Sequence, residues 1–255
     1  MGVLQVGRRV AEIDDSILEL AAPCCYLDAF RNPVPSKLPL LRVREVQTLH
    51  RGAATPLDGV SRDGGAYAVE GDEILVRIPR SPASAEASLR AVFQVATMRE
   101  GGLLVHGSGV TFEDRALVAV GESGAGKSTL ARLCLAAGAE LLSDETIGLY
   151  PDGTAWGSPF FSDHDLSGRR LRASLGAILL LEKASREQVC PVDRAEGDAA
   201  LLSQVYRPGP GEISRAELLS RAGALAVKPG VRCLRFRKEQ EAGAFVKRWL
   251  LETAG

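Results

Sequence analysis

The chain has 255 residues, 45% hydrophobic and 25% charged, enough apolar material for one large domain or a domain of about 150 residues beside a smaller one. Its 31 basic and 32 acidic residues leave a net charge of −1, which recommends neither nucleic acid nor a membrane surface as partner. No apolar run approaches the ~18 residues that span a bilayer, the N-terminus lacks a charged region followed by an apolar block, and the five cysteines form no C-x-x-C, so a cytoplasmic protein with reduced thiols is expected.

Residues 1–98 carry no motif tied to a particular chemistry. Val3 to Ile13 has partial strand character, and Ser16 to Ala21 reads as a short helix stopped before Pro23. Pro33, Pro35 and Pro39 mark an irregular loop, and Leu40 to Val46 alternates like a half-buried strand. Gly52 to Gly65 is polar and turn-rich. Ala66–Glu70 and Glu73–Ile78 flank Gly71-Asp72, a strong hairpin signal. Ser81-Pro82 opens a helix, Ala83 to Arg99, with Leu89, Val92, Phe93 and Val95-Ala96 on one apolar face. These elements predict a small N-terminal α/β region over 1–98, leading into a second region over 99–255.

From Gly101 the pattern changes. Leu103 to Val110 reads as a strand with a glycine-marked irregularity, Glu113-Asp114 as a turn, and Arg115 to Val120 as the return strand. That strand feeds Gly121-Glu122-Ser123-Gly124-Ala125-Gly126-Lys127-Ser128, which fits G-x-x-x-x-G-K-[ST]. Thr129 to Ala137 follows as a helix closed by Gly138. In such a loop, glycines let successive backbone N–H groups turn inward around phosphate oxygens. The helix points its positive end at the same anion. The lysine adds a mobile charge, and the serine hydroxyl can ligate Mg²⁺. Residues Gly121 to Thr129 are therefore the predicted nucleotide-phosphate site. A hairpin-fed loop differs from the usual nucleotide-binding arrangement, in which the preceding strand belongs to a parallel βαβ unit.

Ala139 to Leu142 and Thr146 to Tyr150 read as short strands on either side of Ser143-Asp144-Glu145, and Pro151-Asp152-Gly153 as a turn. An irregular loop runs from Gly157 through Arg172. Gly176 to Leu181 is a buried central strand. Helical stretches at Asp198–Tyr206 and Ile213–Val227 are separated by Pro208-Gly209-Pro210-Gly211, then come a strand at Val231–Phe236 and an amphipathic helix at Lys238–Leu251.

Asp144 lies 17 residues after Lys127. A carboxylate there would sit beside the phosphates, to accept a proton from an attacking hydroxyl or to hold Mg²⁺, with Glu145 sharing the metal. Equally, the pair could simply end a strand at the solvent edge. His106, 15 residues before Gly121, fits either a satisfied core histidine or a catalytic one. Asp163-His164-Asp165 reads first as a polar surface loop and second as a ligand set. Arg169-Arg170-Leu171-Arg172 reads first as a solvated face and second as an anion contact.

Taken together, His106-Gly107, the phosphate loop and Ser143-Asp144-Glu145 resemble the catalytic domain of HPr kinase/phosphorylase. That bacterial enzyme phosphorylates a serine on a small carrier protein, and its fold resembles the ATP-dependent phosphoenolpyruvate carboxykinases. The family pattern is His-Gly, a strand, G-D-S-G-x-G-K-S, a helix and a pair of aspartates. The resemblance covers residues 99–150 well, continues faintly through Gly157-Ser158-Pro159-Phe160 and Leu181-Glu182-Lys183, and is thin elsewhere. It implies an α/β fold (α+β, mixed sheet) of the carboxykinase-like P-loop type, with ATP and Mg²⁺ as cofactors. By the same resemblance Lys127 would bind the β- and γ-phosphates, and Ser128, Glu145 and Asp144 would hold Mg²⁺. Asp144 would also act as general base, and His106 would sit near the transferring phosphate or orient Asp144.

The chain departs from the family in three places. Glu122 stands where the loop often has Asp. The R-G-L-G signature is missing, and Lys228-Pro229-Gly230-Val231-Arg232 only echoes P-G-R-N. These departures argue against phosphorylase activity and against HPr itself as substrate, and bring the chain nearer to the shorter HPr-kinase-related proteins. The resulting expectation is an ATP- and Mg²⁺-dependent kinase acting on a hydroxyl, foremost a serine of a small protein or peptide. A silent nucleotide-sensing module and a small-molecule kinase are the alternatives. The resemblance also points to a homo-oligomer, an inference that the different N-terminal region weakens.

Overall fold

The computed structural model describes residues 1–31, 33, 40–49, 54–57, 65–161, 166, 172–207, 209 and 213–253. The chain divides into two compact units, Met1–Glu100 with Pro208–Ile213, and Gly101–Arg207 with Ser214–Gly255. Both are mixed α/β, each built on a sheet with parallel and antiparallel pairs. Among the described residues no helix is long and apolar enough to cross a membrane.

In the first unit, strands β1 (Gly2–Val6) and β2 (Arg9–Ile13) form a hairpin turned at Gly7, whose φ is +58°. The buried Gln5 side chain donates to Gly7 O and Arg9 O across that turn. Helix α1 (Asp15–Ala21) follows, then β3 (Leu41–Glu45), β4 (Thr55–Pro56), β5 (Ala66–Glu70), β6 (Glu73–Arg77) and helix α2 (Pro82–Arg99). The sheet order is β1-β2-β3-β6-β5-β4. The β5–β6 hairpin turns where Gly71-Asp72 predicts it, with Glu70 opposite Glu73. Ser81 Oγ accepts the Ser84 N–H at 3.2 Å and Pro82 occupies the first turn of α2, so the predicted start of that helix rests on an ordinary cap.

The second unit contains β7 (Leu103–Phe112), β8 (Arg115–Val120), α3 (Lys127–Ala136), β9 (Glu140–Ser143), β10 (Thr146–Tyr150), β11 (Thr154–Trp156) and β12 (Arg172–Lys183). It continues through β13 (Gln188–Pro191), α4 (Arg194–Ser203), α5 (Arg215–Leu225), β14 (Val231–Phe236) and α6 (Glu241–Glu252). The strand order is β11-β10-β7-β8-β12-β14-β13, with β9 also on β7. Because β11 pairs with β12 as well as with β10, strands β7, β8, β12, β11 and β10 close into a ring. β8 runs antiparallel to β7, as the hairpin predicts, and parallel to β12, which is parallel to β14. β8 is buried on both faces beyond Arg115, whereas β14 alternates, burying Val231, Cys233, Leu234 and Phe236 and exposing Arg232 and Arg235.

Helices α3 and α6 pack on one face, where Leu130, Cys134, Val246 and Leu250 join Leu117, Leu179, Leu234 and Phe236 in the core. The two helices meet at Gly243, where an added Cβ would lie 2.1 Å from Leu133 O. Helices α3 and α5 start within two residues of where the sequence pattern places them, and α4 and α6 start farther away. Asp193 Oδ1 accepts the Ala195 N–H at 2.9 Å, so α4 begins at Arg194 and not Asp198. α6 begins at Glu241, which leaves Lys238 in the turn after β14. Strands β4, β11 and β13 have no signal in the sequence pattern, because each is only two to four residues long; β11 pairs locally with β10 across the Pro151-Asp152-Gly153 turn and at a distance with β12, and β13 pairs with β14. The Asp163-His164-Asp165 and Arg169-Arg170-Leu171 stretches lie outside the described residues. Arg172 sits over the Trp156 ring at 5.9 Å, a packing contact across the β11–β12 pair.

Candidate functional site

β8 ends at Val120, fully buried, and the chain turns into the phosphate loop at Gly121. Gly124 and Gly126 have φ of +81° and +111°, left-handed values that glycine adopts without strain. Gly126 has a second reason to be glycine, since an added Cβ would meet Phe236 Cζ at 3.3 Å. Gly126 O accepts the first helical bond, from Leu130 N at 2.8 Å, but among the described residues no side chain caps the start of α3. The first-turn N–H groups are thus left for another acceptor.

Lys127 folds back over the loop and donates to Gly121 O at 2.7 Å and Glu122 O at 3.1 Å. Burial pushes its pKa below the ordinary 10.5, and the negative charges of Glu145 and Asp144 act against that shift. Ser123, Gly124, Gly126, Lys127, Ser128 and Thr129 all line one cavity of about 300 Å³. Gly121, Glu122 and Ala125 shape the loop without lining the cavity; Ala125 N donates to Glu122 O at 3.2 Å to close its turn.

The opposite wall comes from the bend between β9 and β10. Both strands pair with β7, Ser143 opposite Gly109 and Thr146 opposite His106, so Asp144 and Glu145 are held at β7 beside the loop. The β7–β9 register shifts between Gly109 and Val110, the irregularity that the glycines signal. A buried hydroxyl cluster fixes the bend. Thr146 Oγ1 donates to Ser158 Oγ at 2.6 Å, and Ser158 Oγ donates to Thr146 O at 2.8 Å. Ser143 Oγ lies 3.1 Å from Ser158 Oγ, and Gly107 N donates to Glu145 O at 3.1 Å.

Asp144 is only 5% exposed, and neither carboxylate oxygen has a hydrogen-bond partner among the described residues. It is therefore no strand end at the solvent edge. Buried polar groups are nearly always satisfied, so an orphaned carboxylate on a cavity wall is a candidate ligand contact. Glu145 lines the same cavity, and its Oε1 lies 3.6 Å from His106 Nδ1. His106 also lines the cavity with about a third of its side chain exposed, so it is not a core histidine, and its backbone N–H is held by Gln204 O at 2.7 Å.

The predicted metal ligands Ser128, Asp144 and Glu145 thus share one cavity. They are hard oxygen donors, suited to Mg²⁺, and the unsatisfied Asp144 oxygens fit a cation. Mg²⁺ is ordinarily held by one or two carboxylates together with substrate phosphates. Among the described residues no three His, Cys, Asp or Glu side chains form an all-protein cage.

Two participants have no motif in the sequence. Lys238 lines the cavity from the turn after β14. Ser158 acts from behind the bend, and the only sign of it is the Gly157-Ser158-Pro159-Phe160 stretch within an otherwise irregular segment. No protein-family model matches the chain, and no curated protein matches it in sequence.

Proposed function

We propose that the second unit is an ATP- and Mg²⁺-dependent kinase that transfers the γ-phosphoryl group to a hydroxyl, foremost a serine of a small protein or peptide. The observation that carries this reading is Asp144, a buried carboxylate without a hydrogen-bond partner among the described residues, on one cavity with a glycine loop and a helix start that none of them caps. A site for phosphate binding alone has no use for a desolvated carboxylate beside the anion. A site that must take a proton from an attacking hydroxyl, or hold a cation on the phosphate, needs one.

In this reading the loop amides and the first turn of α3 bind the phosphate oxygens. Lys127 exchanges Gly121 O and Glu122 O for the outer phosphates. The acceptor oxygen attacks the γ-phosphorus as its proton passes to an Asp144 oxygen, and the bond from the γ-phosphorus to the β–γ bridging oxygen breaks, leaving ADP. Ser128, Glu145 and Asp144 would hold Mg²⁺, which would supply charge neutralisation on the phosphates. Glu145 is steadied by Gly107 N and faces His106. The acceptor class rests on the resemblance to HPr kinase.

Calorimetric titration with ATP and Mg²⁺, paired with transfer of labelled γ-phosphate to small proteins, peptides, free serine, sugars and polyols, tests the proposal. Binding with label on a hydroxyl is the expected result, and Lys127→Ala is expected to abolish both. Binding with no transfer to any acceptor would favour a nucleotide-sensing module. Absence of binding by the wild-type chain would overturn the reading.

A further inference from the structure

The residues that line the cavity come from strands on both sides of β8. Asp144, Glu145 and His106 come from β7 and the β9–β10 bend, on one side of β8. Lys238 comes from the end of β14, beyond β12 on the other side of β8. β8, β12 and β14 are parallel, and ligands of such sheets bind outside the carboxyl ends of the strands, where both the loop and Lys238 lie.

We infer that Lys238 is a second phosphate-binding cation that marks the nucleoside end of the cavity, so that the phosphate chain crosses the loop with its γ end toward Asp144. This rests on the kinase reading above.

Three observations support it. First, Lys238 lines the same cavity as Lys127, and an added Cβ on Gly126 would lie 3.7 Å from Lys238 Cε, so its stem runs beside the loop. Second, its basic neighbours are engaged elsewhere. Arg235 pairs with Glu182 at 2.8 Å, and Arg237 pairs with Glu187 at 3.2 Å and Glu239 at 3.1 Å. Lys238 has no carboxylate partner among the described residues. Third, the cavity places two carboxylates beside Lys127, leaving its lining net negative without another cation. A polyphosphate is strongly anionic, and Lys238 supplies the compensating charge at the end remote from the carboxylates.

A cation at the nucleoside end touches phosphates that remain in the diphosphate product. Its loss therefore weakens substrate and product alike, as uniform binding requires. The test is calorimetric titration of the full chain with Mg-ATP and Mg-ADP, comparing wild type, Lys238→Ala and Lys238→Arg, with a thermal melt of each to establish folding. Lys238→Ala should weaken both nucleotides by the same factor, about tenfold for one lost charge contact, and Lys238→Arg should restore most of the affinity. Unchanged affinity for both nucleotides in Lys238→Ala would overturn the assignment while leaving the kinase reading intact. A loss confined to ATP would reverse the polarity and also overturn it. Failure of the wild-type chain to bind either nucleotide would remove the kinase reading, and this assignment with it.

Discussion

Replacing Asp144 by Asn separates what the site costs from what it does. The carboxylate is 5% exposed and both oxygens lack hydrogen-bond partners among the described residues. An unsatisfied buried polar group costs about 1–3 kcal/mol, and more when charged. Asparagine keeps the shape and removes the charge. It also forfeits the attraction between Asp144 and the half-buried Lys127. The net expectation is a gain of about 1–2 kcal/mol, which for a chain of this size raises Tm by roughly 2–8 °C. Phosphoryl transfer should fall ~10²- to 10⁴-fold, the usual contribution of a general base, while nucleotide binding persists. Differential scanning fluorimetry without nucleotide, calorimetric titration with Mg-ATP and a labelled transfer assay measure the three quantities on the same samples. A lower Tm would show that the carboxylate is structural. Transfer at the wild-type rate would show that it is not the base.

Lys127 sets a pH dependence in the nucleotide-free protein. Its folded-state pKa lies below 10.5, so between that lowered value and 10.5 the unfolded chain holds a proton that the folded chain has shed. Stability should rise with pH across this interval, and the difference in melting profile between wild type and Lys127→Met isolates the effect. Ser158→Ala removes the hydroxyl that ties Ser143 to Thr146 behind the Asp144–Glu145 bend. It should lower stability by about 1–3 kcal/mol in denaturant melts and reduce transfer much more than nucleotide affinity, because the loop is untouched. Gly243→Ala sets a methyl 2.1 Å from Leu133 O, where backbone faces backbone. Prising α3 from α6 should cost about 1–3 kcal/mol or more, read as a drop in Tm; a wild-type Tm would contradict the close helix crossing.

Features that depend on neighbours along the chain can be read from residue order. The phosphate loop is legible because its glycines, Lys127 and Ser128 act within one turn of each other, through backbone conformation and a helix start. The Gly71-Asp72 hairpin, the Ser81-Pro82 start of α2 and the β7–β8 hairpin are legible for the same reason. Asp144 and His106 could be singled out, but spacing alone left a solvent-edge carboxylate and a core histidine open. Only the pairing of both β9 and β10 with β7 decided that Asp144 is buried against the cavity and that His106 opens onto it. Ser158 and Lys238 needed still more distant information. One depends on a hydroxyl cluster joining β9, β10 and the segment after β11, the other on β14 lying parallel to β12 and β12 to β8. The ring closure of β11 on β12 is of the same kind. Strand register and strand order are settled by burial across the whole sheet, and no local pattern of residue types records which strands will become neighbours.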